Sequence, residues 1–114
     1  MKTKSLNFLR SAELPWEKVD EGVTRQIMGY DGQIMMVKVQ FKKRSIGHIH
    51  KHFHSQTTYI VNGKFEVTIN NEMQILETGD GYYIEPDISH GVVCLEDGIL
   101  IDVFSPIRLD FLKK

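Results

Sequence analysis

The sequence predicts an all-β domain, built as a small barrel or sandwich. Three observations carry that prediction. Apolar and polar residues alternate with a period of two in several short runs. Turn-forming residues punctuate the runs at intervals of about 8–12 residues. The runs themselves are rich in β-branched and aromatic side chains, which suit a pleated, half-buried surface.

Taken in order, residues 1–22 read as an irregular N-terminal arm, in which Leu14-Pro15-Trp16 packs Trp16 onto the barrel or onto a partner. Strand signals dominate from residue 23, and the barrel is expected over about residues 30–104. In residues 34–41, Val37, Val39 and Phe41 share one face, and Lys38 and Gln40 the other. The run at 57–61 leads into Asn62-Gly63, which reads as a tight hairpin turn because Asn and Gly tolerate positive φ. Phe65, Val67 and Ile69 then alternate with Glu66 and Thr68, and Asn70-Asn71 forms a second turn. Gly79-Asp80-Gly81 forms a third, and strands at 82–84, 91–95 and 99–104 complete the set. Ser105-Pro106 supplies an N-cap and first-turn proline for a short helix within 105–114. Lys113 and Lys114 suit the negative end of that helix's dipole.

A chain of 114 residues is expected to form one domain and to bury a core without staples. Its 41% hydrophobic and 25% charged residues are ordinary for a globular protein, so disorder is not expected. A net charge of −1 with both signs dispersed leaves no basic stripe for nucleic acid. Lys42-Lys43-Arg44 is instead the solvated tip of a hairpin. The one cysteine, Cys94, excludes an internal disulfide, fits a reducing compartment, and reads as a core residue. The first ten residues lack a signal-peptide apolar stretch, and no segment has the ~20 apolar residues of a membrane span. A cytoplasmic protein without membrane or nucleic-acid partners is expected.

Four of the five histidines, His48, His50, His52 and His54, fall at alternate positions in GHIHKHFHSQ. Inward-facing imidazoles are costly unless something uses their lone pairs, and imidazole is the commonest metal ligand among side chains. Gln56 follows four residues after His52, and His90 lies far downstream in EPDISHG. A local pair with a distant third ligand is what a metal site in a barrel requires.

This segment resembles the first cupin motif, G(x)5-H-x-H-(x)3,4-E-(x)6-G. His50 and His52 fall on its paired histidines, Gln56 on its glutamate and Gly63 on its last glycine. Gly79 through His90 is similar to the second motif, G(x)5-P-x-G-(x)2-H. The resemblance implies a double-stranded β-helix, or jelly-roll barrel, holding one divalent metal through His50, His52, Gln56 and His90. The donor set suits Zn, Ni, Fe, Mn or Co alike. Arg44, Glu85 and Asp87 replace the motif's first glycine, its proline and its second glycine, and Asp can enter the left-handed region. Gln56 departs at a ligand position: a neutral amide leaves the ion's full charge facing whatever binds. His54 is expected to serve a hydrogen-bonding role behind the ligands, and His48 to face inward or lie at the rim.

Near the C-terminus, Leu100, Asp102 and Phe104 share one face of a strand, and Ile99, Ile101 and Val103 the other. A carboxylate between two apolar faces needs a partner or a task. Arg108 either pairs with Asp102 or binds a substrate carboxylate as a fork. The ending IDVFSPIRLDF, with HKHFHSQTTYIVNGKFEV and GYDGQIMMVKVQF, is similar to the KdgF-type pectin-degradation cupins. That resemblance implies a small sugar-acid substrate: conversion of 4,5-unsaturated monouronates to linear 4-deoxy-5-keto uronates. It also implies that Asp102, Phe104 and Arg108 line the pocket. Another metal-dependent cupin enzyme, such as a dioxygenase or isomerase, and a non-catalytic sugar-acid binder are the alternatives. A homodimer is expected, paired through the arm with Leu14 and Trp16.

Overall fold

The computed structural model describes residues 3–113. Met1 and Lys2 of the expected arm, and Lys114 of the expected helix, lie outside them. Eight antiparallel strands form one folded-over sheet: β1 Glu17–Asp20, β2 Val23–Tyr30, β3 Met35–Phe41, β4 Ile46–His50, β5 Ser55–Ile69, β6 Glu72–Glu77, β7 Gly81–Ile84 and β8 His90–Ser105. The main path runs β1-β2-β3-β8-β5-β6, with β4 also on β8 and β7 also on β5. The all-β jelly-roll expectation therefore stands.

Two long strands make the fold. The first half of β5 pairs with β7 and with the second half of β8, and its second half pairs with β6 and the first half of β8. β8 likewise meets β4 through its first half and β3 through its second. Each long strand thus passes from one layer to the other, and the two layers enclose the core. Val37, Val39 and Phe41 of β3 face inward, as their alternation predicts, against Ile60, Phe65 and Leu100. Phe41 and Phe65 pack edge to face at 5.4 Å. Cys94 is fully buried among them.

Asn62-Gly63 is not a hairpin turn. β5 runs through it, with register shifts against β8 on either side. Gly63 has φ +103°, and a Cβ there would lie 2.6 Å from Gly98 Cα, so the glycine serves a bulge where two backbones nearly touch. The segments at 91–95 and 99–104 are likewise one strand, β8. Asn70 and Asn71 both have positive φ, as a two-residue hairpin requires. Arg44 and Asp87, standing at glycine positions of the motifs, adopt φ +77° and +65°.

Both ends differ from expectation. The sheet begins at Glu17, within the expected arm, because β1 pairs with β2. The arm around Ser11 and Leu14 is pinned to its own sheet: Gln26 Nε2 donates to the Ser11 and Leu14 carbonyls, and Ser11 Oγ donates to Gln26 Oε1. At the other end, Ser105 cannot cap a helix because it is still paired with Ser55 in the sheet. The helix, α1, spans only Leu109–Leu112, with Arg108 at its N-cap position and Lys113 following it. Among the described residues no helix is long and apolar enough to cross a membrane.

Candidate metal centre and active-site cavity

His50, at the end of β4, is paired across the ladder with His90, at the start of β8. After His50 the chain leaves the sheet, so His52 reaches the same point from a turn rather than by strand alternation. The ligand atoms of His50, His52 and His90 lie within 4.8 Å of one another.

Hydrogen bonds fix which nitrogen each ring offers. Nδ1 of His50 donates to the His48 carbonyl at 2.8 Å, Nδ1 of His52 to the His54 carbonyl at 3.1 Å, and Nδ1 of His90 to the Ile88 carbonyl at 2.9 Å. A carbonyl only accepts, so each Nδ1 carries a proton, and Nε2 is the nitrogen left to offer a lone pair to an ion. Burial, with neighbouring His50, His52 and Arg108 acting the same way, holds His90 down to about 4 despite its bond to Ile88. Burial foremost, then the nearby Arg108 charge, also lowers His52. Both are neutral and ready to ligate at pH 7.

The donor set fits a cation. Among the described residues, His90 Nε2 is buried with no hydrogen-bond partner. His52 Nε2 faces Gln56 Oε1 at 3.0 Å. Gln56 cannot turn its amide to relieve that contact, because its Nε2 donates to Thr58 Oγ1 at 3.0 Å and Asp102 Oδ1 at 3.2 Å. Two acceptors facing each other repel unless a positive charge sits with them. A separation of 3.0 Å also suits adjacent ligands each ~2.1 Å from one shared ion.

Asp102 lies beyond Gln56, inside the barrel. The ladder sets Thr58 of β5 directly opposite it, and Thr58 Oγ1 donates to Asp102 Oδ1 at 2.6 Å. Burial pushes the Asp102 carboxyl up to about 6, opposed by Thr58, Arg108 and Gln56. Phe104 is buried with its ring against His52 and Phe111. Arg108 does not pair with Asp102. It forks onto Asp110 through Nε at 3.1 Å and Nη2 at 2.9 Å, with its guanidinium over Phe104 and Phe111. His50, Gln56, His90, Asp102, Phe104 and Arg108 line one cavity of about 350 Å³, within the size range of small-molecule sites.

The remaining histidines separate. His48 lies at the rim, exposed and 3.0 Å from Asp20. His54 is buried, stacked on Phe53 at 4.0 Å, and its carbonyl orients His52. Sequence reasoning missed Thr58, Tyr82, Arg25 and Phe111, which also border this cavity or its network. Two of them left a local signal: Arg25, as a charge in the run VTRQI, and Phe111, as the last residue of the ending IDVFSPIRLDF.

A two-layer antiparallel barrel with converging imidazoles at one end defines a cupin, and the sequence matches the cupin-domain family over residues 36–104. The chain is 49% identical over 102 residues to the pectin degradation protein KdgF of Dickeya dadantii (strain 3937), covering 88% of this chain and 93% of that protein. The solved structure of KdgF from Halomonas sp. superposes with a TM-score of 0.89 at 36% identity, covering 94% of this chain and 99% of the other. An RmlC-like cupin from Shewanella frigidimarina NCIMB 400 superposes with a TM-score of 0.93 at 38% identity, covering 96% and 98%. The chain belongs to the cupin family and, within it, to the KdgF-type cupins.

Proposed function

We propose that this cupin linearises 4,5-unsaturated monouronates released by pectin or alginate breakdown, giving 4-deoxy-5-keto uronates. The observation that carries the reading is the Gln56 amide, whose oxygen faces His52 while its nitrogen donates to Asp102. It ties an acid–base group to the metal centre within one cavity. The likeness to KdgF supplies the substrate class.

His50, His52, His90 and, through Oε1, Gln56 would hold the ion, and Zn, Ni, Fe, Mn and Co all suit them. A bound divalent ion would supply Lewis acidity toward a sugar oxygen or carboxylate. Asp102, raised toward neutrality, is poised to take the proton of the anomeric hydroxyl as the C1–O5 bond opens to the aldehyde. The C1–O5 electron pair leaves on O5 as an enolate, which becomes the 5-ketone when Asp102 returns the same proton to C4. Thr58 and Gln56 hold the carboxyl by two donated hydrogen bonds throughout. Phe104 packs beside the sugar ring. Arg108, its fork braced by Asp110, supplies positive charge for the substrate carboxylate.

The test is direct: metal-loaded protein is added to lyase-generated unsaturated uronate, and the ultraviolet absorbance of its conjugated enol ether is followed. Accelerated loss of absorbance with an aldehyde product is expected. Tight uronate binding with unchanged absorbance would instead mark a sugar-acid binder, and iron-dependent oxygen consumption a dioxygenase.

We also propose a homodimer, formed through a sheet face rather than by exchange of the arm. Met36, Tyr59, Val61 and Tyr83 are exposed on the outer face, beside half-buried Ile101 and Val103. The ladders make them neighbours: Tyr59 opposite Ile101, Met36 opposite Val103, and Thr57 between Val103 and Tyr83. Contiguous exposed apolar residues of this kind are the surface a partner subunit would cover. Light scattering should return the mass of two chains, and Tyr59→Lys should lower it to one; a monomeric wild type rejects the proposal.

A further inference from the structure

The inward row of β2 contains one residue that the reaction above leaves without a task. Val23, Arg25 and Ile27 occupy alternate positions, opposite Phe41, Val39 and Val37 of β3. Val23 is core, and Arg25 borders the same cavity as Asp102 and His90. A charge in such a row is costly unless it is paired or used. Glu17, directly opposite in β1, accepts from Arg25 Nε at 3.1 Å, and both side chains are mostly buried. Among the described residues Arg25 donates to no other acceptor, so the pair of terminal nitrogens is uncommitted.

Phe111 links this residue to Arg108. The Arg25 guanidinium carbon lies 3.8 Å from the Phe111 ring centroid, and that of Arg108 lies 4.2 Å from the same centroid. The two guanidinium groups therefore cannot be farther apart than those two distances together. The face of the aromatic ring favours both cations. Arg108 commits one edge of its fork to Asp110 through two bonds, whereas Arg25 commits only Nε.

We propose that Arg25 is a specificity-determining residue, which with Arg108 receives the ligand's carboxylate in a two-arginine clamp at the α1 end of the cavity. The pocket then selects sugar acids over neutral sugars. The proposal rests on the reading of this cavity as a uronate site. A guanidinium fork matches a carboxylate in geometry, and its bonds gain strength where water is scarce. Arg25 acts on binding and takes no part in proton transfer, so its removal should fall on KM rather than on kcat.

Arg25→Gln and Arg25→Lys test this in the metal-loaded, full-length protein. With unsaturated galacturonate, Arg25→Gln should raise KM about tenfold, with kcat changed less than about twofold, and Arg25→Lys should recover part of the loss. The methyl ester of the same sugar should lose nothing. A second arm needs no turnover: calorimetric titration with galacturonate and with galactose. Wild type should prefer the acid, and Arg25→Gln should cut that preference about tenfold. A preference undiminished in Arg25→Gln, or equal binding of both sugars by wild type, overturns the proposal. So does a parallel fall in melting temperature, metal content and kcat, which is the signature of a purely structural Arg25–Glu17 pair. If the linearising reaction fails but the acid preference and its reduction are seen, the clamp stands and the reaction alone is wrong.

Discussion

Asp102→Asn should lower turnover of unsaturated uronate by about 10²–10⁴-fold, the usual worth of general acid–base catalysis, while metal content stays at the wild-type level. Asp102 reaches the metal centre only through the Gln56 amide and is not itself among the clustered ligands. Asn keeps the size and keeps an oxygen for the Thr58 hydroxyl, so the cavity's shape survives. The wild-type rate should depend on pH in a way that the variant's residual rate does not. The reaction begins with the carboxylate accepting a proton, and burial holds the group at about 6. Activity from this group is thus lost as pH falls through about 6 and gained as it rises. Stability moves the opposite way. A carboxyl raised above its unfolded value of 3.8 binds more protons when folded, so its contribution favours the fold at low pH and is lost as pH rises toward 6. At pH 7 the buried charge burdens the fold, and Asp102→Asn should melt no lower than wild type. Lost turnover accompanied by a clearly lower melting temperature would make Asp102 a structural residue.

The legible parts of this molecule were those in which neighbours along the chain decide the outcome. The alternation of Val37, Val39 and Phe41 reported the inner face of β3 because a strand's period is local. The His50–His52 pair and His90 survived as a cluster because ligand chemistry restricts residue type. What escaped depends on register and on contacts across the barrel. A glycine with positive φ serves a hairpin and a bulge equally, and Gly63 is distinguished only by Gly98 beneath it. Thr58 gained its role by standing opposite Asp102, a pairing that no local signal encodes. Of the two partners the sequence left open for Arg108, Asp102 is not the one it meets; it finds Asp110, two residues away, because the chain turns away from the strand after Ser105. Arg25 was visible as a charge in a strand, but its meaning depends on which face of β2 is inward.

His90→Ala should abolish stabilisation of the fold by added divalent ion and weaken ion binding by more than 100-fold, beyond the 10–100-fold lost when only a supporting group around a metal is removed. The buried, unpartnered Nε2 of His90 is the strongest sign that this end of the barrel is built for a cation. A ligand that binds only the folded protein raises stability with its concentration, so wild-type melting temperature should climb as zinc or nickel is titrated in. The variant should show no such climb, and its metal-free melting temperature should fall only by what the buried ring and its Nδ1 bond to the Ile88 carbonyl contribute. Equal metal-induced shifts in both proteins would exclude His90 as a ligand. Gln56→Glu separates affinity from function at the same centre. A carboxylate there adds charge for the ion and should bind it more tightly. It also removes the hydrogen-bond donor that Gln56 Nε2 gives to Asp102 and Thr58, and sets a second negative group beside Asp102. Like charges at that distance raise the Asp102 pKa further, so the variant should hold its metal better and turn over more slowly at pH 7. Tighter binding with undiminished turnover would mean that the amide's link to Asp102 contributes nothing to the chemistry.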